Sequence, residues 1–244
     1  MLHYLLNLLF PQRCAARDAS MPIDAKRCIC APCLAAIEPP RPPLCQICGA
    51  SLNTGEDGRC GRCREAPPAF DSARAITRYR ASGTDFAGGG SSAFATLLRR
   101  HKYGLDQSTG RALAEYIDAA PPIDAGAYDL VIPVPLHRRR LRWRGFNQAA
   151  LLGAALACRL KCPLDAATLA RIRSTPPQTA RDRAQRVRNV RNAFAVLRPT
   201  RVAGRRILLV DDVMTTGATA DECARVLHAA GARRIDVLTL ARVS

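Results

Sequence analysis

The stretch Ile207–Thr219, ILLVDDVMTTGAT, ends an apolar run in two adjacent aspartates and follows them with small hydroxylated residues around one glycine. Four consecutive apolar residues, Ile207–Val210, read as a strand buried on both faces. Two carboxylates cannot be buried cheaply without partners, so the strand must end where a polar ligand or solvent can meet them. The residues that follow, GATADECARVLHAAGA, carry helical periodicity and close on Gly231. Strand, turn and helix therefore follow one another directly.

The same alternation runs through the rest of the chain from Ala73. ARAITRYR reads as a strand, AFATLLRRH and GRALAEYIDAA as helices around KYGLDQST, and DFAGGGSSA as a flexible insertion without an apolar face. DLVIPVP (129–135) is expected to be a buried strand, FNQAALLGAALACRL an amphipathic helix, AFAVL (193–197) a short strand and RIDVLTLAR the last strand. Such a pattern predicts an α/β fold, a parallel sheet with helices on both faces. Ligands of such sheets sit beyond the carboxyl ends of the strands. Three segments then share one rim: the turn after Pro133, the stretch 171–191, and the turn after Asp211.

At that rim, Asp211 and Asp212 can accept bonds from sugar hydroxyls or support Mg²⁺. Backbone N–H groups at the helix start, with the hydroxyls of Thr215, Thr216 and Thr219, can cradle a phosphate, and Gly217 allows close approach. A ribose 5-phosphate has both hydroxyls and phosphate. Here the chain resembles the type I phosphoribosyltransferases, whose motif for 5-phosphoribosyl 1-diphosphate (PRPP) is an apolar strand, two acidic residues and a Thr-Gly-x-Thr/Ser turn. The resemblance implies that Asp211 and Asp212 hold the ribose and that Thr215, Thr216, Gly217, Ala218 and Thr219 hold the 5-phosphate.

The second rim segment, PVPLHRRRLRWRGFNQ, packs five arginines into seven positions, 138–144. In the resembled fold a loop here receives the diphosphate, which makes His137, Arg138, Arg139, Arg140 and Arg144 its expected ligands; about half of these arginines can equally form a solvated face. The third segment holds seven arginines from Arg171 to Arg191 and one acid, Asp182. It occupies the place of the mobile phosphoribosyltransferase loop that closes over substrate, and a helix from about Arg181 to Arg191 is the alternative.

Eight of the eleven cysteines fall in the first 63 residues. CQIC (Cys45, Cys48) and CGRC (Cys60, Cys63) are two knuckles 11 residues apart, and four thiolates from two tight turns can close a tetrahedral shell around Zn²⁺. A disulfide pair is the competing reading. Upstream, Cys14 with two or three of Cys28, Cys30 and Cys33 could hold a second ion, against a set of free thiols. Arg17 stands where a partner to Cys14 is expected. Cys158, Cys162 and Cys223 lie in apolar, helix-like surroundings and are expected in the core. A stiff connector, EPPRPP, separates the two cysteine groups, and APP follows the last knuckle. We expect a cysteine-rich zinc-binding domain over 1–70 and a phosphoribosyltransferase-like domain over 71–244. MLHYLLNLLF lacks the marks of a signal peptide and no segment is long enough to span a bilayer, so a cytoplasmic protein is expected.

The formal charge is +17, from 37 Lys plus Arg against 20 Asp plus Glu, and nearly all of the bases are arginine. Guanidinium groups favour phosphorylated partners, nucleic acid or a small phosphate ester. LLFPQRC, IPVPLHRRRLRWRGFNQ, STPPQTARDRAQRVRNVRNAF and VDDVMTTGAT together resemble the ComF/GntX family, over nearly the whole chain. The resemblance implies a zinc-ribbon-like segment joined to a phosphoribosyltransferase domain, PRPP with Mg²⁺ as ligand, and a role in DNA uptake and use during natural competence, with competence proteins as partners. It leaves phosphoribosyl transfer to an unspecified acceptor beside a non-catalytic module that binds single-stranded DNA. Arg17 and the AGGGSS insertion depart from the family pattern.

Overall fold

A computed structural model describes residues 11–22, 24–53, 57–79, 96, 97, 112, 115, 117, 126–174 and 183–243. Two compact units divide the chain: Met1–Glu38 with Tyr79–Ala120, and Pro39–Arg78 with Pro121–Ser244. Cys14, Cys30 and Cys33 fall in the first unit. The knuckles from Cys45 to Cys63 fall in the second, together with the sheet, and Phe70 is buried in that unit's core.

In chain order the elements are α1 (Ala31–Ala35), α2 (Gly61–Glu65), β1 (Ser72–Tyr79), β2 (Leu130–Pro133), α3 (Arg138–Arg144), α4 (Gln148–Leu160), β3 (Leu169–Arg171), α5 (Arg183–Val190), β4 (Phe194–Val196), β5 (Arg206–Met214), α6 (Ala218–Ala229) and β6 (Arg234–Val243). The main sheet has the order β1-β6-β5-β2. β2 runs parallel to β5 with Leu130 opposite Ile207, and β5 runs parallel to β6 with Ile207 opposite Ile235. Alternate residues face opposite sides of a sheet. Leu130, Ile132, Ile207, Leu209, Ile235 and Val237 accordingly share one core with Ala220, Cys223, Ala224 and Leu227 of α6. On the other side α4 lies so close that a Cβ added to its Gly153 would stand 3.5 Å from Val131 and 3.7 Å from Pro133. Helices thus cover both faces, as the alternation predicts.

Both long helices start and stop for local reasons. Asn147 caps α4 by accepting from the Ala149 N–H, and its amide donates to the Val134 carbonyl at 3.1 Å, fixing the helix to the end of β2. Leu152, Leu156 and Leu160 then form its buried stripe. α6 starts on Gly217 in the left-handed region and ends before Gly231, also at positive φ.

Several expectations are corrected. β5 continues through Met214, so Asp211 and Asp212 lie inside its last turns of pleat and do not end it. The AFAVL strand pairs antiparallel with β3, a three-residue strand not anticipated, and stays outside the parallel sheet. The arginine run 138–144 is a helix and not a loop. Of the three downstream cysteines only Cys223 is fully buried; Cys162 is half-buried and Cys158 is exposed, because the stripe of α4 turns that position outward. The segments read as helices at 93–101 and 110–120, the insertion at 85–93 and the loop 175–182 lie largely outside the described residues; positions 96, 97, 112, 115 and 117 are helical. Among the described residues no helix is long and apolar enough to cross a membrane.

Candidate ligand site and cysteine clusters

The site grows from the end of β5. Asp211 stands opposite Thr239 of β6, and the ladder resumes at Val213 opposite Ala241. Asp211 Oδ1 accepts from the Asp212 N–H at 2.9 Å, and Asp212 Oδ1 accepts from the Val213 N–H at 2.7 Å. Each carboxylate is therefore braced by the next peptide and half-exposed. Within electrostatic reach of Asp211 is the buried Cys223, whose thiol is pushed well above its ordinary value by burial and further by the Asp211 charge. A thiol so held stays protonated and serves packing.

Met214 leads into the turn 215–217. Gly217 takes φ 79°, a conformation that side chains with a Cβ rarely adopt, and so gives α6 its N-cap. Thr216 Oγ1 accepts from the Ala218 N–H at 3.4 Å, and Thr215 and Thr219 remain half-exposed beside it. The opening of a 12-residue helix, bare of a side-chain cap on its N-cap residue, meets hydroxyls and a close backbone here. The five residues Thr215, Thr216, Gly217, Ala218 and Thr219 thus form one continuous turn directly after the two aspartates.

The arginine run is organised by α3. His137 caps it, its Nδ1 accepting from the Arg139 N–H at 3.3 Å, and Gly145 ends it at φ 78°. Helical spacing separates the five arginines into two sets. Arg138, Arg139 and Arg142 are exposed, while Arg140 and Arg144, four apart, are half-buried on the inner side. Arg144 donates to the buried Gln148 of α4 at 3.3 Å. Arg140 lies within electrostatic reach of Arg171 at the end of β3, and Arg171 within reach of Asp211. Burial pulls the Arg171 guanidinium below its ordinary value, Arg140 adds to this, and Asp211 opposes it. Arg171 also lies 5.3 Å from the Phe194 ring centroid. The structure therefore brings Arg171 within electrostatic reach of both Asp211 and Arg140 and leaves Arg138 and Arg139 exposed. In the third segment Arg173 donates to the carbonyls of Asn189 and Arg191, which joins the end of β3 to the end of α5.

Cys45, Cys48, Cys60 and Cys63 bring their four sulfurs within 4.8 Å of one another. Cys48 and Cys60 Sγ are 3.7 Å apart, close to the roughly 3.8 Å that tetrahedral Zn–S bonds of about 2.3 Å impose. The set fits Zn²⁺. Burial pushes the Cys45 thiol up, but N–H groups of Cys60, Cys48 and Ile47 donate to it and bring it down to about 6, which favours a thiolate. The knuckles are built into the sheet: Arg242 of β6, itself buried, donates to the Cys48 carbonyl at 2.6 Å and lies 3.6 Å from its sulfur. The Ala73 N–H donates to the Ile47 carbonyl at 2.6 Å, and a Cβ on Gly49 would clash with the Ala73 carbonyl.

In the first unit Cys14, Cys30 and Cys33 form a second cluster, with Cys14 and Cys33 Sγ 3.8 Å apart. Burial pushes Cys14 up, and N–H groups of Cys30, Arg17 and Ala16 bring it down to about 7; burial and the neighbouring thiols push Cys33 up to about 12. Cys28 is not part of this cluster. Its N–H and that of Ile29 instead donate to Glu115, at 2.6 and 3.2 Å. Arg17 does not supply a sulfur, so among the described residues this cluster has three sulfurs.

The parallel sheet, its rim and the paired knuckles define a protein of phosphoribosyltransferase fold carrying zinc-ribbon modules. The phosphoribosyl transferase domain family matches residues 147–244, and the double zinc ribbon domain family matches residues 5–64. Similar relatives include the DNA utilization protein YhgH of Salmonella typhi, 33% identical over 220 residues covering 88% of this chain and 90% of the relative. YhgH of Escherichia coli K12 is 32% identical over 219 residues (88% and 90%), and competence protein F of Haemophilus influenzae is 30% identical over 224 residues (89% and 92%). The chain belongs to the ComF/GntX family.

Proposed function

We propose that the rim of the second unit binds PRPP with Mg²⁺. The observation that carries this reading is the placement of two braced carboxylates directly before the Gly217 turn that opens α6. Asp211 and Asp212 hold the ribose hydroxyls, and residues 215–219 hold the 5-phosphate. Arg140 and Arg144, the half-buried arginines of the helix that His137 caps, face the diphosphate, while Arg138 and Arg139 lie on its solvent side. Magnesium bound with PRPP supplies positive charge to the diphosphate oxygens. In phosphoribosyl transfer the bond from the anomeric carbon to diphosphate breaks, its electron pair leaves with the diphosphate, and a bond to the acceptor forms. The arginines stabilise the charge that develops on the leaving group.

Calorimetry with PRPP tests the reading. Binding is expected to require Mg²⁺ and to be lost in the double variant Asp211→Asn, Asp212→Asn; full affinity in that variant overturns it. Cys45, Cys48, Cys60 and Cys63 hold a structural Zn²⁺, and Cys14, Cys30 and Cys33 contribute to a second site. A cytoplasmic setting, which keeps thiols reduced, suits both.

Trp143 favours a second reading of α3. It is 72% exposed amid five arginines, a pairing of stacking surface and phosphate-binding charge that suits single-stranded DNA. The names of the relatives accord with a role in DNA use. Neutralising Arg138, Arg139 and Arg142 is expected to flatten the salt dependence of oligonucleotide binding, and Trp143→Ala to weaken it about tenfold. Unchanged affinity and salt slope would remove this reading while leaving the PRPP site intact.

A further inference from the structure

From the approach of one knuckle side chain to the phosphate turn, we infer that Arg62 is an additional ligand of the 5-phosphate, supplied by the zinc knuckle. The inference rests on the PRPP-site reading above and extends it to a residue outside the phosphoribosyltransferase motif. Arg62 lies between Cys60 and Cys63 on α2, and a Cβ placed on Gly217 would be 3.3 Å from its Nη2. The guanidinium therefore lies over the turn that caps α6. It is half-buried, and among the described residues no carboxylate pairs with it. A cation in that position, beside backbone N–H groups and threonine hydroxyls, presents a fork matched to phosphate oxygens.

The fold holds Arg62 there by several independent links. The Cys60 N–H donates to Cys45 Sγ at 3.4 Å, and the Ala69 N–H donates to Asp221 in the first turn of α6 at 2.6 Å. Phe70, next in the chain, packs 3.9 Å from the same Gly217 position. Cys60 and Cys63 supply two sulfurs of the four-sulfur cluster, so metal at that cluster would fix the backbone on both sides of Arg62. Two sites that share one short helix are linked thermodynamically: whatever orders α2 for one ligand favours the other, reciprocally. Bound sugar phosphate should then slow metal release, and an intact knuckle should raise phosphate affinity.

The test uses the full-length zinc-loaded protein. Ribose 5-phosphate, PRPP with Mg²⁺ and inorganic diphosphate are titrated calorimetrically into the wild type, Arg62→Gln, Arg62→Lys and the Asp211→Asn, Asp212→Asn double variant, with zinc content measured on each. Arg62→Gln is expected to weaken ribose 5-phosphate and PRPP by about tenfold or more, to leave diphosphate within about twofold, and to keep its zinc; Arg62→Lys recovers part of the loss. Saturating ribose 5-phosphate is expected to slow zinc transfer to a chromogenic chelator in the wild type and not in Arg62→Gln. Wild-type affinity in Arg62→Gln alongside loss in the double variant overturns the role of Arg62 and spares the PRPP site. A wild-type protein that binds neither sugar phosphate overturns both. Loss of zinc from both Arg62 variants, with all three ligands weakened alike, also overturns it, because the residue is then a support of the knuckle only.

Discussion

The two cysteine clusters use the same knuckle chemistry and differ in what surrounds it. Cys45, Cys48 and Cys63 are part of the core that α6 and the main sheet form, and Arg242 reaches from β6 to brace Cys48. Cys14, Cys30 and Cys33 form a three-sulfur set in the first unit, where Glu115 accepts from the Cys28 and Ile29 N–H groups and the Ala15 N–H donates to the Cys28 carbonyl. A four-thiolate shell satisfies a tetrahedral ion, whereas a three-thiolate shell leaves one position to another ligand. The clusters therefore differ in sulfur count among the described residues, four against three, and in the unit that houses them.

The largest effect that would sharpen this contrast is removal of a thiolate. Structural zinc contributes on the order of 10 kcal/mol to small metal-dependent modules, and the Cys45 cluster shares its core with the sheet. Cys45→Ser is expected to lose one zinc per chain and the cooperative melting of the sheet, read by elemental analysis and thermal circular dichroism. Cys14→Ser is expected to lower metal content without abolishing that transition. Equal damage from both variants would erase the distinction.

Much of this contrast was readable from spacing, and some was not. The two C-x-x-C pairs predict a four-sulfur cluster because short turns force their sulfurs together, and VDDVMTTGAT predicts the run from β5 through the Gly217 turn into α6. α3 was hidden: RRRLRWR has no apolar stripe, and only its caps, His137 and Gly145, mark it as a helix. β3 is too short for a period to show. Cys158 is exposed despite cysteine's apolar character, because the stripe Leu152, Leu156, Leu160 turns position 158 to solvent. Arg62 and Arg171 carry no local signal, since each gains meaning from a partner distant in sequence, Gly217 for one and Arg140 with Asp211 for the other.

Metal withdrawal is expected to have the next largest effect. Thiolates must be deprotonated to hold metal, so protons compete for the ligands as pH falls. Four sulfurs can share an ion in the Cys45 cluster and three among the described residues in the Cys14 cluster, so fewer protons dislodge metal from the second. Against the upward push of burial, Cys45 and Cys14 are each brought below the ordinary thiol value by backbone N–H groups, so their contribution is full above that ordinary value and is lost as pH falls through the folded one. Acid titration with a chromogenic chelator should release metal in two phases, with the Cys14 cluster first. A single phase at one pH would break the comparison.

A smaller change tests integration directly. Arg242→Met keeps much of the side chain's bulk and removes two donors from Cys48. With its carbonyl left without that charged donor, a loss of about 2 kcal/mol is expected from denaturant unfolding. Zinc should still bind, because all four sulfurs remain. A variant as stable as the wild type would mean that the core, and not Arg242, anchors the knuckle.

Glu115→Gln should give the smallest effect, and it isolates the first unit. The carboxylate accepts from two successive N–H groups, Cys28 and Ile29, through its two oxygens. An amide of the same shape offers one acceptor oxygen, so one of those N–H groups loses its partner, at a cost of about 1 kcal/mol. Cys30, two residues on, should then be held less firmly against Cys14, whose sulfur accepts from the Cys30 N–H at 3.4 Å. Metal release from the Cys14 cluster is expected to quicken by a few fold while release from the Cys45 cluster keeps its rate. Equal acceleration of both would show that Glu115 does not act on the Cys14 cluster in particular and that any difference between the clusters rests on their sulfur count among the described residues.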